Sequence, residues 1–166
     1  MVAARKTGTR GLHIRPATRE DARFILSLVP RFVAFELPRA RRKREVVATL
    51  RADLRRAMRE TPATDHFFIA CDAHHKSVGF LRLQLQRDYF SNGRACHVSD
   101  IAVAPGHDGR GIGRVLLAHA ETWARANRCK LLTLSVFPAN ARARGLYEQA
   151  GFATDLVRMA KPLKDR

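Results

Sequence analysis

Between Val103 and Val115 the chain reads VAPGHDGRGIGRV, with glycines at 109, 111 and 113. An apolar, strand-like run precedes this stretch and a helix-like run follows it. Glycine takes positive φ without strain and lets the backbone come close to a ligand. The first turn of the next helix offers unpaired N–H groups at the positive end of its dipole. Strand, glycine turn and helix in that order make a cradle for a phosphate, although the same segment also reads as a plain turn.

A second block lies about thirty residues on. It runs from Asn140 to Phe152 as NARARGLYEQAGF and follows the strand-like LLTLSVF. Together the two blocks resemble the GNAT superfamily, whose members transfer an acyl group from acyl-CoA to an amine. The family's loop pattern, Gln/Arg-x-x-Gly-x-Gly/Ala, falls on Asp108 to Gly113: both glycines match and the first position does not. The pattern Asn-x-x-Ala-x-x-Leu-Tyr followed by Gly-Phe matches at Asn140, Ala143, Leu146, Tyr147, Gly151 and Phe152. The resemblance extends from about Leu12 to the C-terminus.

The resemblance implies an α/β GNAT fold, a mixed central sheet of six to seven strands flanked by about four helices. It implies acetyl-CoA as co-substrate, no metal, and a small-molecule or protein amine as acceptor. Main-chain N–H groups of Gly109, Arg110, Gly111, Ile112 and Gly113 would hold the CoA pyrophosphate, with Arg110 and Arg114 adding charge. Ile101, Ala102 and Val103 would lie along the pantetheine arm with Asn140 beside it, and the N–H of Ile101 would take the oxyanion. Tyr147 becomes the general acid, since a phenol stays protonated at neutral pH and can protonate a departing thiolate. His97 occupies the slot where histone-modifying members carry a glutamate base, and an imidazole can accept an ammonium proton. Asp100 and a water relay remain alternatives, and direct attack is expected over a thiol intermediate on Cys96. Asp108 is expected to turn outward, offset by Arg110 or Arg114, because a carboxylate beside phosphates is unfavourable.

These residues need elements to position them. Residues 12–17 alternate as a first strand. Thr18-x-x-Asp21 resembles a capping box that opens a helix with Ala22, Ile25, Leu26 and Val29 on one stripe, ended by Pro30. A second helix is expected over about 40–60, carrying Val46, Val47, Leu50, Leu54, Ala57 and Met58 at helical spacing. Strands follow at 67–71 and 77–87, joined by the turn 73–76, and then at 95–103. After the loop come a helix with Val115, Leu116, Ala120 and Trp123, a strand at 131–137, a helix at 141–150, and a final strand over 152–161. His74 and His75 are adjacent in a turn with no further ligands nearby, a poor arrangement for one ion.

The chain has 166 residues and 46% hydrophobic content, so one globular domain is expected, with residues 1–11 as a flexible basic tail and 12–166 as the domain. Cys71, Cys96 and Cys129 are few and scattered, which favours reduced thiols, and with no secretory signal in MVAARKTGTRG a cytoplasmic location is expected. No apolar run reaches membrane-spanning length. The net charge of +16 admits a nucleic-acid binder, but the arginines are scattered and no nucleic-acid motif accompanies them. A non-catalytic acyl-CoA-binding module is the main alternative to an enzyme, and a homodimer is left open. By resemblance, residues 30–44 line the acceptor side. Their Arg31, Arg39, Arg41, Arg42, Lys43 and Arg44 against Glu36 would disfavour polycations such as aminoglycosides and favour an amine with its own carboxylate or phosphate.

Overall fold

A computed structural model describes residues 11–163. Strand β1 (His13–Pro16) leads through a short 3₁₀ turn into helix α1 (Ala22–Ser27). A second 3₁₀ turn (Val29–Val33) and a loop precede helix α2 (Lys43–Glu60). Strands β2 (Asp65–Cys71), β3 (Ser77–Arg87) and β4 (Arg94–Val103) form a meander. Helix α3 (Ile112–Ala126), strand β5 (Leu131–Leu134) and helix α4 (Ala141–Gln149) complete the order. The strands lie side by side as β1-β2-β3-β4-β5, antiparallel except for the parallel β4–β5 pair, which α3 joins by a crossover.

The helix starts follow from local chemistry. The Asp21 carboxylate accepts the Thr18 N–H at 2.8 Å and both terminal nitrogens of Arg15 at 2.7 Å, as the capping-box pattern anticipates. Pro30 sits in the first turn of the second 3₁₀ segment and closes α1. Asn140 caps α4, its side chain accepting the Ala143 N–H at 3.2 Å.

The sheet is covered on both faces. Leu81 and Leu83 of β3 join Cys96, Val98, Leu116 and Ala120 on the α3 side. Phe80 joins Ile25, Leu28, Leu54 and Ile69 under α1 and α2. Each of these large side chains that loses its water contributes roughly 1.5–3 kcal/mol. Gly79 lets α3 approach: a Cβ there would stand 3.0 Å from the Ala102 carbonyl oxygen and 3.3 Å from Ile112 and Leu116.

Two sequence expectations need correction. The sheet has five strands among the described residues, not six or seven, and no strand forms over 152–161. A strand needs a ladder partner, and this segment has none: Leu156, Val157 and Met159 remain 70%, 72% and 90% exposed. The basic tail lies, apart from Gly11, outside the described residues. No helix among the described residues is long and apolar enough to cross a membrane.

Candidate active site

Strands β4 and β5 pair only from Ala95 to Val98 against Leu131 to Leu134. Beyond that point they part, and a cavity of about 900 Å³ opens between Val98–Val103 on one side and Ser135, Val136 and Phe137 on the other. The edge of β4 facing this gap has no strand partner, so an extended ligand can add to it through main-chain hydrogen bonds. Ile101, Ala102, Val103, Asn140 and Tyr147 all border the cavity. Its remaining wall comes from α2 and the preceding loop, including Phe32, Phe35, Val46 and Leu50.

The glycine loop lies at one end. Gly109 and Gly111 hold φ of +74° and +79°, which a β-carbon would strain, and Gly111 is the N-cap of α3. A Cβ on Gly109 would meet nothing within 4 Å, so open space faces the loop. Gly113 works differently: a Cβ there would press on Leu146 Cδ2 at 2.9 Å, so this glycine seats α4 against α3. Ile112 is buried in the core and leaves only its main chain to a ligand. Arg110 is exposed, and Arg114 is bonded to Gln149. None of Gly109 to Arg114 lines the cavity, and the loop reaches it through Asp108.

Asp108 does not turn outward. It lines the cavity, and its Oδ1 accepts Arg31 Nη2 from the second 3₁₀ turn and Arg142 Nη2 from α4, the latter at 2.6 Å. Arg110 and Arg114 play no part in offsetting it.

At the other end of the cavity β4 bulges. Asp100 pairs with Arg82 and Val98 with Leu83, leaving Ser99 without an opposite residue on β3. The extra residue places Val98 and Ile101 on the α3 face and His97 and Asp100 on the α2 face. There Arg82, only 5% exposed, donates Nε to Asp65 at 2.5 Å and Nη1 to Asp53 of α2 at 2.5 Å, with Asp100 at 3.4 Å. Burial pushes the Asp100 carboxyl up to about 6, against the pull of Arg82. His97 Nδ1 bonds Thr133 Oγ1 at 2.7 Å, and burial holds its pKa below the ordinary imidazole value. Burial likewise raises the Tyr147 phenol and lifts the Cys96 thiol to about 12, and Cys96 borders neither cavity.

A side cavity of about 470 Å³ adjoins the first, and Leu50, Ser99 and Asp100 border both. Its carboxylates are Asp53, Glu60, Asp65 and Asp100, against the guanidiniums of Arg56 and Arg82. His97 borders this side cavity and not the main one. Sequence reasoning missed the Arg82 cluster and assigned Arg82 no role. The available signal was Phe80: it shares a face with Arg82 by the two-residue period, so the face is covered and a buried arginine there needs carboxylates. Of the basic residues in 30–44, Arg31, Arg41 and Arg42 line the main cavity; Arg31 is bound to Asp108, Arg42 lies 3.9 Å from Glu45, and Arg39, Arg41, Arg42, Lys43 and Arg44 are exposed.

Comparison with known proteins agrees with this geometry. Over 91 residues the chain is 38% identical to the streptothricin acetyltransferase of Streptomyces lavendulae, covering 55% of this chain and 46% of that protein. Over 88 residues it is 31% identical to the aminoglycoside N(6')-acetyltransferase type 1 of Stenotrophomonas maltophilia, covering 51% and 58%. The chain thus spans about half the length of the curated relatives it matches. The fold matches the crystal structure of an aminoglycoside antibiotic 6'-N-acetyltransferase from Acinetobacter baumannii with a TM-score of 0.67 at 17% identity, over 93% of this chain and 100% of that one. The family model for the acetyltransferase (GNAT) family matches residues 33–152, which take in the parted strands, the glycine loop and α4. The chain belongs to the GNAT family.

Proposed function

We propose that this protein is an acetyl-CoA-dependent N-acetyltransferase whose acceptor is a primary amine carrying further cationic amines. One observation carries the proposal: where β4 and β5 part, Asp100, Ile101, Asn140 and Tyr147 meet on a single cavity that Asp108, at the start of the glycine loop, also borders. The donor lies along β4 with its pyrophosphate at Gly109 to Gly113. The amine nitrogen attacks the thioester carbonyl, and the oxyanion of the tetrahedral intermediate takes the N–H of Ile101. Collapse expels the thiolate, which Tyr147 protonates. The proton leaving the ammonium goes to Asp100, which borders both cavities, rather than to His97, which borders only the side cavity. A carboxyl with a pKa of about 6 is ionised at neutral pH and still basic enough to accept a proton.

The acceptor class rests on the side cavity, where four carboxylates outnumber two guanidiniums, so a second ammonium group is attracted there. That two relatives are named for streptothricin and aminoglycosides is in keeping with this reading. An amine panel tests it. Thiol release from acetyl-CoA should be faster with an aminoglycoside or a polyamine than with any amino acid. Faster turnover of an amino acid would reverse the acceptor assignment, and the sequence expectation would stand.

A further inference from the structure

The resemblance calls for glutamine or arginine at the first loop position, and this chain has Asp108. A carboxylate at that place repels a pyrophosphate, yet the structure surrounds it with cations drawn from far along the chain. Arg31 lies 77 residues before it and Arg142 lies 34 residues after it, and both Nη2 atoms converge on one oxygen, Asp108 Oδ1. Two positive charges against one negative leave the cluster with a net single positive charge. That is the charge an arginine at position 108 would have carried. The side chains of Arg31, Asp108 and Arg142 are 30%, 32% and 68% exposed, so the cluster is open to a ligand. All three border the main cavity, next to the glycine loop.

We infer that Arg31 and Arg142 bind the phosphates of the donor and that Asp108 is a positioning residue that holds the two guanidiniums at the loop. Each guanidinium commits Nη2 to Asp108 and keeps further donors of its five-donor fork for a phosphate oxygen. The carboxylate also screens the two arginines from each other, so they stay close together before a ligand arrives. Asp108 thereby ties the second 3₁₀ turn, through Arg31, and α4, through Arg142, to the loop. The inference rests on the acyl-CoA reading proposed above.

Calorimetry with two probes, acetyl-CoA and S-acetyl-pantetheine, tests it. The second probe has the same arm and thioester but no phosphate. Arg31→Gln and Arg142→Gln should each weaken acetyl-CoA binding by about tenfold, as for loss of a charge-assisted bond, and leave S-acetyl-pantetheine unchanged. Asp108→Asn should also weaken acetyl-CoA, and in that background Arg142→Gln should cost less than about threefold, because the arginine is no longer held. Circular dichroism checks that each variant is folded, and if Arg31→Gln alone is not, the Arg142→Gln and Asp108→Asn pair still decides. Equal losses for both probes, or no loss for acetyl-CoA, would overturn the inference. So would tighter acetyl-CoA binding by Asp108→Asn with a larger cost of Arg142→Gln in that background, since Asp108 would then be a competitor of the phosphate. Failure of the wild-type protein to bind either probe would instead remove the acyl-CoA reading itself.

Discussion

At the scale of single residues, Tyr147 and Asp100 carry the proposed proton transfers. Tyr147→Phe keeps the ring against Phe152, whose centroid is 6.0 Å away, and removes only the phenolic proton. We expect kcat to fall by roughly 10²–10⁴-fold with little change in acetyl-CoA affinity. Steady-state kinetics beside calorimetry separates the two, and near-wild-type turnover would reduce Tyr147 to a packing residue. Asp100 must be ionised to act, so kcat/KM should rise with pH up to about 6 and then level off. Asp100→Asn should abolish that limb, while His97→Asn should leave it in place; the reverse outcome would make His97 the base. Asn140 and Tyr147 stand in one motif block, which made their place beside the cavity legible, whereas Ile101 lies outside both blocks and was placed by the family resemblance alone. The relation of His97 to Asp100 was not legible, because it depends on the bulge at Ser99. Without it, residues 97 and 100 would fall on opposite faces of the strand.

At the scale of elements, the seat of α4 decides where Tyr147 points. Gly113→Ala would push on Leu146, the residue before Tyr147. Overpacking costs about 1–3 kcal/mol, and the better helix propensity of alanine returns about 0.5–1 kcal/mol. The expected outcome is a small loss of thermal stability with a clear loss of kcat, and unchanged kinetics would show that Leu146 simply swings aside. The turn into α1 depends on Asp21, so Asp21→Ala should lower stability by roughly 1.5–3 kcal/mol at neutral pH. Its bonds from Arg15 and Thr18 hold the carboxyl below the usual carboxylate range. The stability it adds is therefore complete above about pH 4 and fades as pH falls through its lowered value. In pH-dependent denaturation the gap between wild type and Asp21→Ala should close in acid, and a gap that persisted there would assign the loss to packing. That turn was legible in Thr18-x-x-Asp21, and the bounds of β3 were legible in its apolar run with Leu81, Leu83 and Leu85 alternating against Arg82, Gln84 and Gln86. The segment after Phe152 was misread because its apolar residues mark a strand only where another strand edge receives it.

At the scale of the whole molecule, a net charge of +16 surrounds a site meant for a polyanionic donor and, by our proposal, a polycationic acceptor. The fold separates the two: Arg31 and Arg142 border the loop end of the main cavity, where we infer the donor's phosphates bind, and the carboxylates Asp53, Glu60, Asp65 and Asp100 line the side cavity. Composition revealed neither group: the arginines read as scattered charge, and Asp53, Asp65 and Asp100 come from three elements and are adjacent only after folding. Added salt should raise the KM for acetyl-CoA by screening its attraction to the cleft, and a KM indifferent to salt would leave the net charge without a role in donor capture. The central claim is direct transfer in the gap between β4 and β5, with no acyl-enzyme on the way. Rapid mixing of the protein with acetyl-CoA, with and without an aminoglycoside, measures this through the free thiol released. The account predicts no thiol without the amine and steady release with it. A burst of one thiol per chain in the absence of amine, or no release with any amine, would contradict it.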